Sequence, residues 1–249
     1  MYRNLVNQKG SLTLTLPKSW VEKNKLQPKD QVFIQEQENQ LIIESEHSTL
    51  KKTKELDVKG IATGTLRSIL GSLYRSGYDE LLLRNVTPEM TKESFSHLVG
   101  GVVTNEGTYH KISFLTKEVK DVFPLLDKIF ITIGVALESD KLDITQFRFN
   151  VLELKDLLIR SVSKNNVHTL GFELSMLASE LSGFASNLKR FDSFSQKQIE
   201  DYMVLQKAWL KRDMSTCSEL SEKYYRKRKD YFYEWLFRVA ARSIPLLLK

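Results

Sequence analysis

The chain has 249 residues, 41% hydrophobic and 27% charged, with 37 Lys and Arg against 31 Asp and Glu. That apolar share is enough to bury cores and excludes global disorder, while 11 Gly and 5 Pro exclude collagen-like and low-complexity character. The longest apolar run, Ile129–Leu137, is interrupted by Thr132 and Gly134 and falls short of the ~18 residues a membrane span requires, so no stable membrane insertion is expected.

The first 46 residues predict short strands around one helix. Asn4–Val6 and Leu12–Leu16 flank a polar turn ending in Gly10, and Leu12, Leu14 and Leu16 alternate with Ser11, Thr13 and Thr15 as in a half-buried strand. Pro17 opens a helix over Lys18–Lys25. Gln27-Pro28-Lys29-Asp30 reads as a turn, and Gln31–Gln37 and Gln40–Glu44 as a hairpin about Glu38-Asn39. A ββαββ unit of this size lacks a sufficient core alone, which favours a homodimer.

Residues 47–59 are polar and charged and read as a linker. Residues 60–116 predict a small αβαβ segment: a helix over Thr65–Arg75 stopped by Gly77, a buried strand around Leu81-Leu82-Leu83, a helix opened by Thr87-Pro88 and ending near Gly100, and a strand over Tyr109–Leu115. Residues 117–249 change character. No Pro falls between Pro124 and Pro245, apolar residues recur at helical spacing, and Ser195–Gln198 has the form of a capping box. Four or five helices of about 20 residues, packed as a bundle, are expected there. The class is therefore α+β, with a β-rich N-terminal domain at 1–46, the linker, the small segment and the helical bundle.

Little in the chain points to catalysis. His47, His97, His110 and His168 stand on separate elements, each a surface or satisfied histidine, and no phosphate loop or nucleophile elbow occurs. Cys217 is the single cysteine, so no intramolecular disulfide can form, and it reads as a structural or merely exposed thiol. No secretory signal opens the chain. We expect a cytoplasmic, non-enzymatic protein without cofactor. The formal charge of +6 is unevenly placed: residues 1–50 balance at six against six, 51–188 at 17 against 17, and 189–249 hold 14 basic and eight acidic side chains. Charge alone thus directs a nucleic-acid footprint to the C-terminal end, where Lys223–Lys229 is followed by Tyr231, Phe232, Tyr233 and Trp235. The simpler expectation for this stretch is an amphipathic helix that buries its aromatics and solvates its charges.

The N-terminal motifs argue otherwise. Gly10-Ser11, Leu16-Pro17-Lys18-Ser19-Trp20, Leu26-Gln27-Pro28-Lys29-Asp30-Gln31-Val32 and Asn39-Gln40-Leu41-Ile42-Ile43 together resemble the SpoVT/AbrB swapped-hairpin domain. They most resemble the variant in archaeal proteins that join it to a PhoU-like helical domain, to which the order and size of the remaining chain are also similar. The resemblance implies two chains exchanging hairpins into one β-core that faces DNA, with Arg3, Lys9, Ser11, Thr13 and Lys18 as contacts, and a regulator of phosphate uptake. It also implies a phosphate-signalling or transporter protein as a further partner, and an adaptor without DNA binding is the alternative. A chaperone-like or antitoxin-like scaffold is a third option. The chain departs from the family in lacking Gly-Arg at the first turn, arginines along the helix, and the Gly before the turn aspartate, which here is Lys29. PhoU-like proteins hold metals through acid-x-x-x-Asp pairs on one helix face, but no Asp in this chain has an acidic residue four positions before it, so no metal ligands are assigned.

Overall fold

Val6–Gln8 (β1) and Ser11–Thr13 (β2) pair antiparallel, with Val6 opposite Thr13 and Asn7 opposite Leu12. Gly10 takes φ +86° in the turn, where its N–H donates to Asn7 Oδ1 at 3.3 Å. Pro17 lies just outside the helix Lys18–Lys23 (α1), its carbonyl accepting from the N–H groups of Trp20 and Val21. This helix is shorter than the expected Lys18–Lys25, because Lys25 already sits at φ +53°. Val32–Gln37 (β3) and Gln40–Ser45 (β4) form the second hairpin, with Ile34 opposite Ile43. The computed structural model describes residues 4–8, 10–37, 40–45, 51–95, 98–116, 119–139, 143–165, 168–187 and 194–247. The backbone separates into two compact units, Met1–Lys51 and Lys52–Lys249, of mixed α+β class.

In the second unit, Thr53–Asp57 (β5) is a strand where a linker was expected. It pairs parallel to Glu80–Arg84 (β6), and Thr63–Arg75 (α2) connects the two. Its side chains are exposed except for half-buried Leu56, so no apolar alternation marks it in sequence. Pro88–Phe95 (α3) follows, with Thr87 Oγ1 accepting from the N–H of Met90. A second missed strand, Gly101–Asn105 (β7), then pairs antiparallel with His110–Phe114 (β8) around a turn where Gly107 takes φ +80°. The expected αβαβ order is therefore βαβαββ, and the sheet order is β5-β6-β8-β7. Leu66, Leu70 and Tyr74 of α2 pack on Leu81, Leu83, Ile112 and Phe114 to form one core.

Six described helices follow: Phe123–Glu138 (α4), Ile144–Lys164 (α5), His168–Asn187 (α6), Gln196–Leu210 (α7), Met214–Tyr225 (α8) and Tyr231–Leu247 (α9). They outnumber and are mostly shorter than the four or five expected. Arg212 at φ +57° ends α7, and Asp213 caps α8 by accepting from the N–H of Thr216 at 3.0 Å. The Ser195–Gln198 capping box is present at the start of α7. Trp209, Trp235, Tyr202, Tyr224, Phe130 and Phe184 fill the larger core. Their polar ends find partners: Tyr202 and Gln206 donate to the Phe130 carbonyl, and Trp209 Nε1 donates to Asp127 at 2.8 Å.

Within Lys52–Lys249 an arginine joins the two cores. Arg160 of α5, 2% exposed, donates to the carbonyls of Tyr74 and Tyr78 and to Asp79 Oδ1, and lies over the rings of Tyr74 and Phe114. Burial opposes ionisation of Asp79. The Lys164 hydrogen bond, the Lys52 N–H and the charges of Lys164 and Arg160 outweigh it, and hold the carboxyl below its usual range.

Candidate nucleic-acid interface

The period of two along a strand fixes what the first hairpin can display. Ser11 and Thr13 share one face of β2, with Val6 opposite Thr13 on the same side; Leu12 and its partner Asn7 stand on the other. Both Ser11 and Thr13 are exposed. Lys18 stands on a separate element, in the first turn of α1. Its side chain is 88% exposed and 3.7 Å from Glu22, a surface pair too solvated to remove its charge from other partners. Arg3 and Lys9, the other two predicted contacts, lie outside the described residues. The structure thus brings Ser11 and Thr13 onto a common face and leaves Lys18 on neighbouring chain.

The apolar residues of this unit are open to solvent, as its small size leads one to expect. Leu12 and Leu14 were expected to be half-buried, yet they are 68% and 43% exposed, and Leu5, Val6, Ile34 and Leu41 are each more than half exposed. On the second hairpin Val32, Ile34, Leu41 and Ile43 share one face, because Ile34 pairs with Ile43 and Glu36 with Leu41. No described side chain of Met1–Lys51 is buried. A single copy of this unit therefore gathers apolar faces without covering them.

The turn preceding β3 is closed by its own residues. Gln27 N–H donates to Asp30 Oδ2 at 2.7 Å, and Lys29 takes φ +84°, a conformation in which glycine is the natural occupant. Residues 8–51 match the family model described as antidote-toxin recognition MazE, bacterial antitoxin. This segment is similar to MazE/AbrB-type domains. Neither the curated proteins nor the solved structures contain a match to the chain.

The competing basic run does not form one anionic-ligand face. Residues 226–230 make the corner between α8 and α9, so the expected continuous amphipathic helix is interrupted there. Lys223 donates to Asp201 at 2.8 Å, Lys227 lies 3.8 Å from the same carboxylate, Arg226 pairs with Glu222, and Arg228 stacks on Tyr225. Asp201 is 1% exposed. Burial disfavours its charge, but hydrogen bonds from Lys223 and Tyr233 and the charges of Lys223 and Lys197 prevail and keep its carboxyl low. Burial first, and then the Asp201 carboxylate, push the Tyr233 hydroxyl up to about 12.

The remaining candidates are structural. His110 is buried, with Nδ1 3.0 Å from Thr91 Oγ1, and Cys217 is fully buried rather than exposed, its thiol pushed up to about 11 mainly by burial. His47 and His97 lie outside the described residues. Among the described residues, no group of three or more His, Cys, Asp or Glu is placed to hold a metal ion, and no helix is long and apolar enough to cross a membrane.

Proposed function

We propose that the chain is a cytoplasmic, homodimeric DNA-binding regulator. Its N-terminal domain exchanges hairpins with a second copy and contacts DNA, and its helical region senses or relays a signal without catalysis. The observation that carries this reading is the MazE/AbrB-like segment at 8–51, with apolar hairpin faces left open in one copy. Dimerisation would cover those faces and display two copies of Ser11, Thr13, Lys18, Arg3 and Lys9. Splitting of the Lys223–Lys229 run among Asp201, Glu222 and Tyr225 supports the N-terminal end as the contact surface.

The similarity in order and size to fusions of an AbrB domain with a PhoU-like bundle extends the proposal to regulation of phosphate uptake, with a phosphate-signalling or transporter protein as a further partner. Genome-wide binding of the tagged protein, followed by titration of a recovered site, tests the proposal. Each phosphate contact contributes about 0.9 to the slope of log affinity against log salt, so replacing Arg3, Lys9 and Lys18 by Ala in both chains should remove about 5 units of slope. Neutralising Arg226, Lys227, Arg228 and Lys229 should change specific binding by less than about tenfold. Retained specific binding in the first variant and loss in the second would reverse the assignment.

The family description favours a second reading, in which the N-terminal domain recognises a protein antagonist. Recovery of one stoichiometric protein partner by residues 1–51, without enrichment of any DNA site, would select it. Recovery of that partner by 117–249 instead would select the adaptor.

A further inference from the structure

One cleft of Lys52–Lys249 concentrates positive charge without any role in the reading above. It lies between α2 and α5 and encloses about 370 Å³, within the size range of small-molecule sites. Arg67 and Arg75 line it from α2, two turns apart, while Arg148 and Lys155 line it from α5 at the same spacing of about two turns. The acidic residue in its wall, Asp156, is 2% exposed and already shared between Arg75 at 3.2 Å and Lys155 at 3.0 Å. Four cations and one carboxylate line this concave space.

Arg148 adds a directional clue. Its Nε is shielded from solvent yet has no hydrogen-bond partner among the described residues. A buried donor left unmade is unfavourable, and an oxyanion accepts a guanidinium fork in two parallel bonds. Beside it, half-buried Phe149 and Leu152 offer an apolar wall, and Phe149 presents a ring on which a planar group can pack. Inorganic phosphate alone would leave most of the space and all of the apolar wall unused.

We propose that the α2–α5 cleft binds a phosphate monoester with a planar body, of the size of a nucleoside monophosphate. The phosphate, carrying about −1.5 to −2 at neutral pH, sits among Arg67, Arg75 and Arg148, and the body lies on Phe149 and Leu152. Such a ligand meets the unfilled Arg148 donor and ties α2 to α5. The site lies wholly in the second unit, so the inference stands or falls apart from DNA binding.

Calorimetry on the full chain tests it with the four ribonucleoside monophosphates, inorganic phosphate and adenosine as probes. The expected result is one site per chain for at least one monophosphate, at least tenfold tighter than inorganic phosphate, with adenosine silent. Arg148→Gln should weaken binding at least tenfold. Ser68→Glu, at an exposed position in the cleft wall, should abolish binding without changing the circular dichroism, which covers the case in which Arg148→Gln fails to fold. Absence of heat from all four monophosphates at millimolar concentration would overturn the proposal. Equal affinity for inorganic phosphate, or binding that survives Ser68→Glu, would do the same.

Discussion

The two units of this chain reach order by opposite routes. Lys52–Lys249 contains two packed cores in which Trp209, Trp235, Tyr74, Leu66 and Leu81 are almost wholly removed from water. Met1–Lys51 forms two complete hairpin registers, yet none of its described side chains is buried. Hydrogen-bond register can therefore be specified locally by turns, while the same residues stay uncovered within one copy. For a segment of this length the number of apolar groups is simply too small to enclose them within one copy.

The contrast is most severely tested in the larger core. Trp209 is fully buried, stacks on Phe130 with centroids 5.2 Å apart, and donates to Asp127. Trp209→Ala should lower stability by about 3–5 kcal/mol in chemical denaturation. A loss below about 1 kcal/mol would mean that this core is not what holds the second unit together.

Arg160→Ala comes next. It removes the buried charge facing Asp79 and leaves the carbonyls of Tyr74 and Tyr78 without that donor, so a loss of about 3 kcal/mol is expected in the same measurement. Two separate carboxylates, one in this network and one in α7, set the acid response. Asp79 and Asp201 have carboxyls held below their unfolded range, near ~3.9, so their stabilisation is complete above that range and disappears as pH falls through the lowered folded values. Stability of the wild-type chain should therefore fall below about pH 4 more steeply than that of Asp201→Asn, as read by unfolding curves at successive pH values. Parallel pH profiles would show that Asp201 contributes nothing through its charge.

In the N-terminal unit, Ile34→Ser and Leu41→Ser affect exposed positions of one copy. If each copy stood alone, both changes would fall within about 0.5 kcal/mol. Burial against a second copy predicts instead that the double variant weakens dimerisation by at least about tenfold in sedimentation, about 1.4 kcal/mol. An unchanged dimer would remove the distinction drawn between the two units. The smallest effect belongs to Lys29→Gly. Relief of the positive φ, less the greater entropy of glycine in the unfolded chain, should stabilise the unit by up to about 1 kcal/mol. Destabilisation by this change would show that the Lys29 side chain makes a contribution its backbone conformation conceals.

Much of this architecture was legible before any coordinates. Turn residues at Gly10 and Gln27–Asp30, the Ser195–Gln198 box and the helical spacing of the last 130 or so residues depend on neighbours a few positions apart, and local backbone physics decides them, whereas the strand expected over Leu12–Leu16 forms over Ser11–Thr13. The strands β5 and β7 were not legible, because their side chains are mostly exposed and only hydrogen bonds to β6 and β8 define them. Tertiary structure alone decided that the basic run folds around Asp201, that Arg160 joins two cores, and that Arg67, Arg75 and Arg148 face one cleft. Those placements join residues from about 20 to more than 80 positions apart. Charge and hydrophobicity in a sequence record what each side chain is, whereas partnership depends on which surfaces the folded backbone brings within a few ångströms.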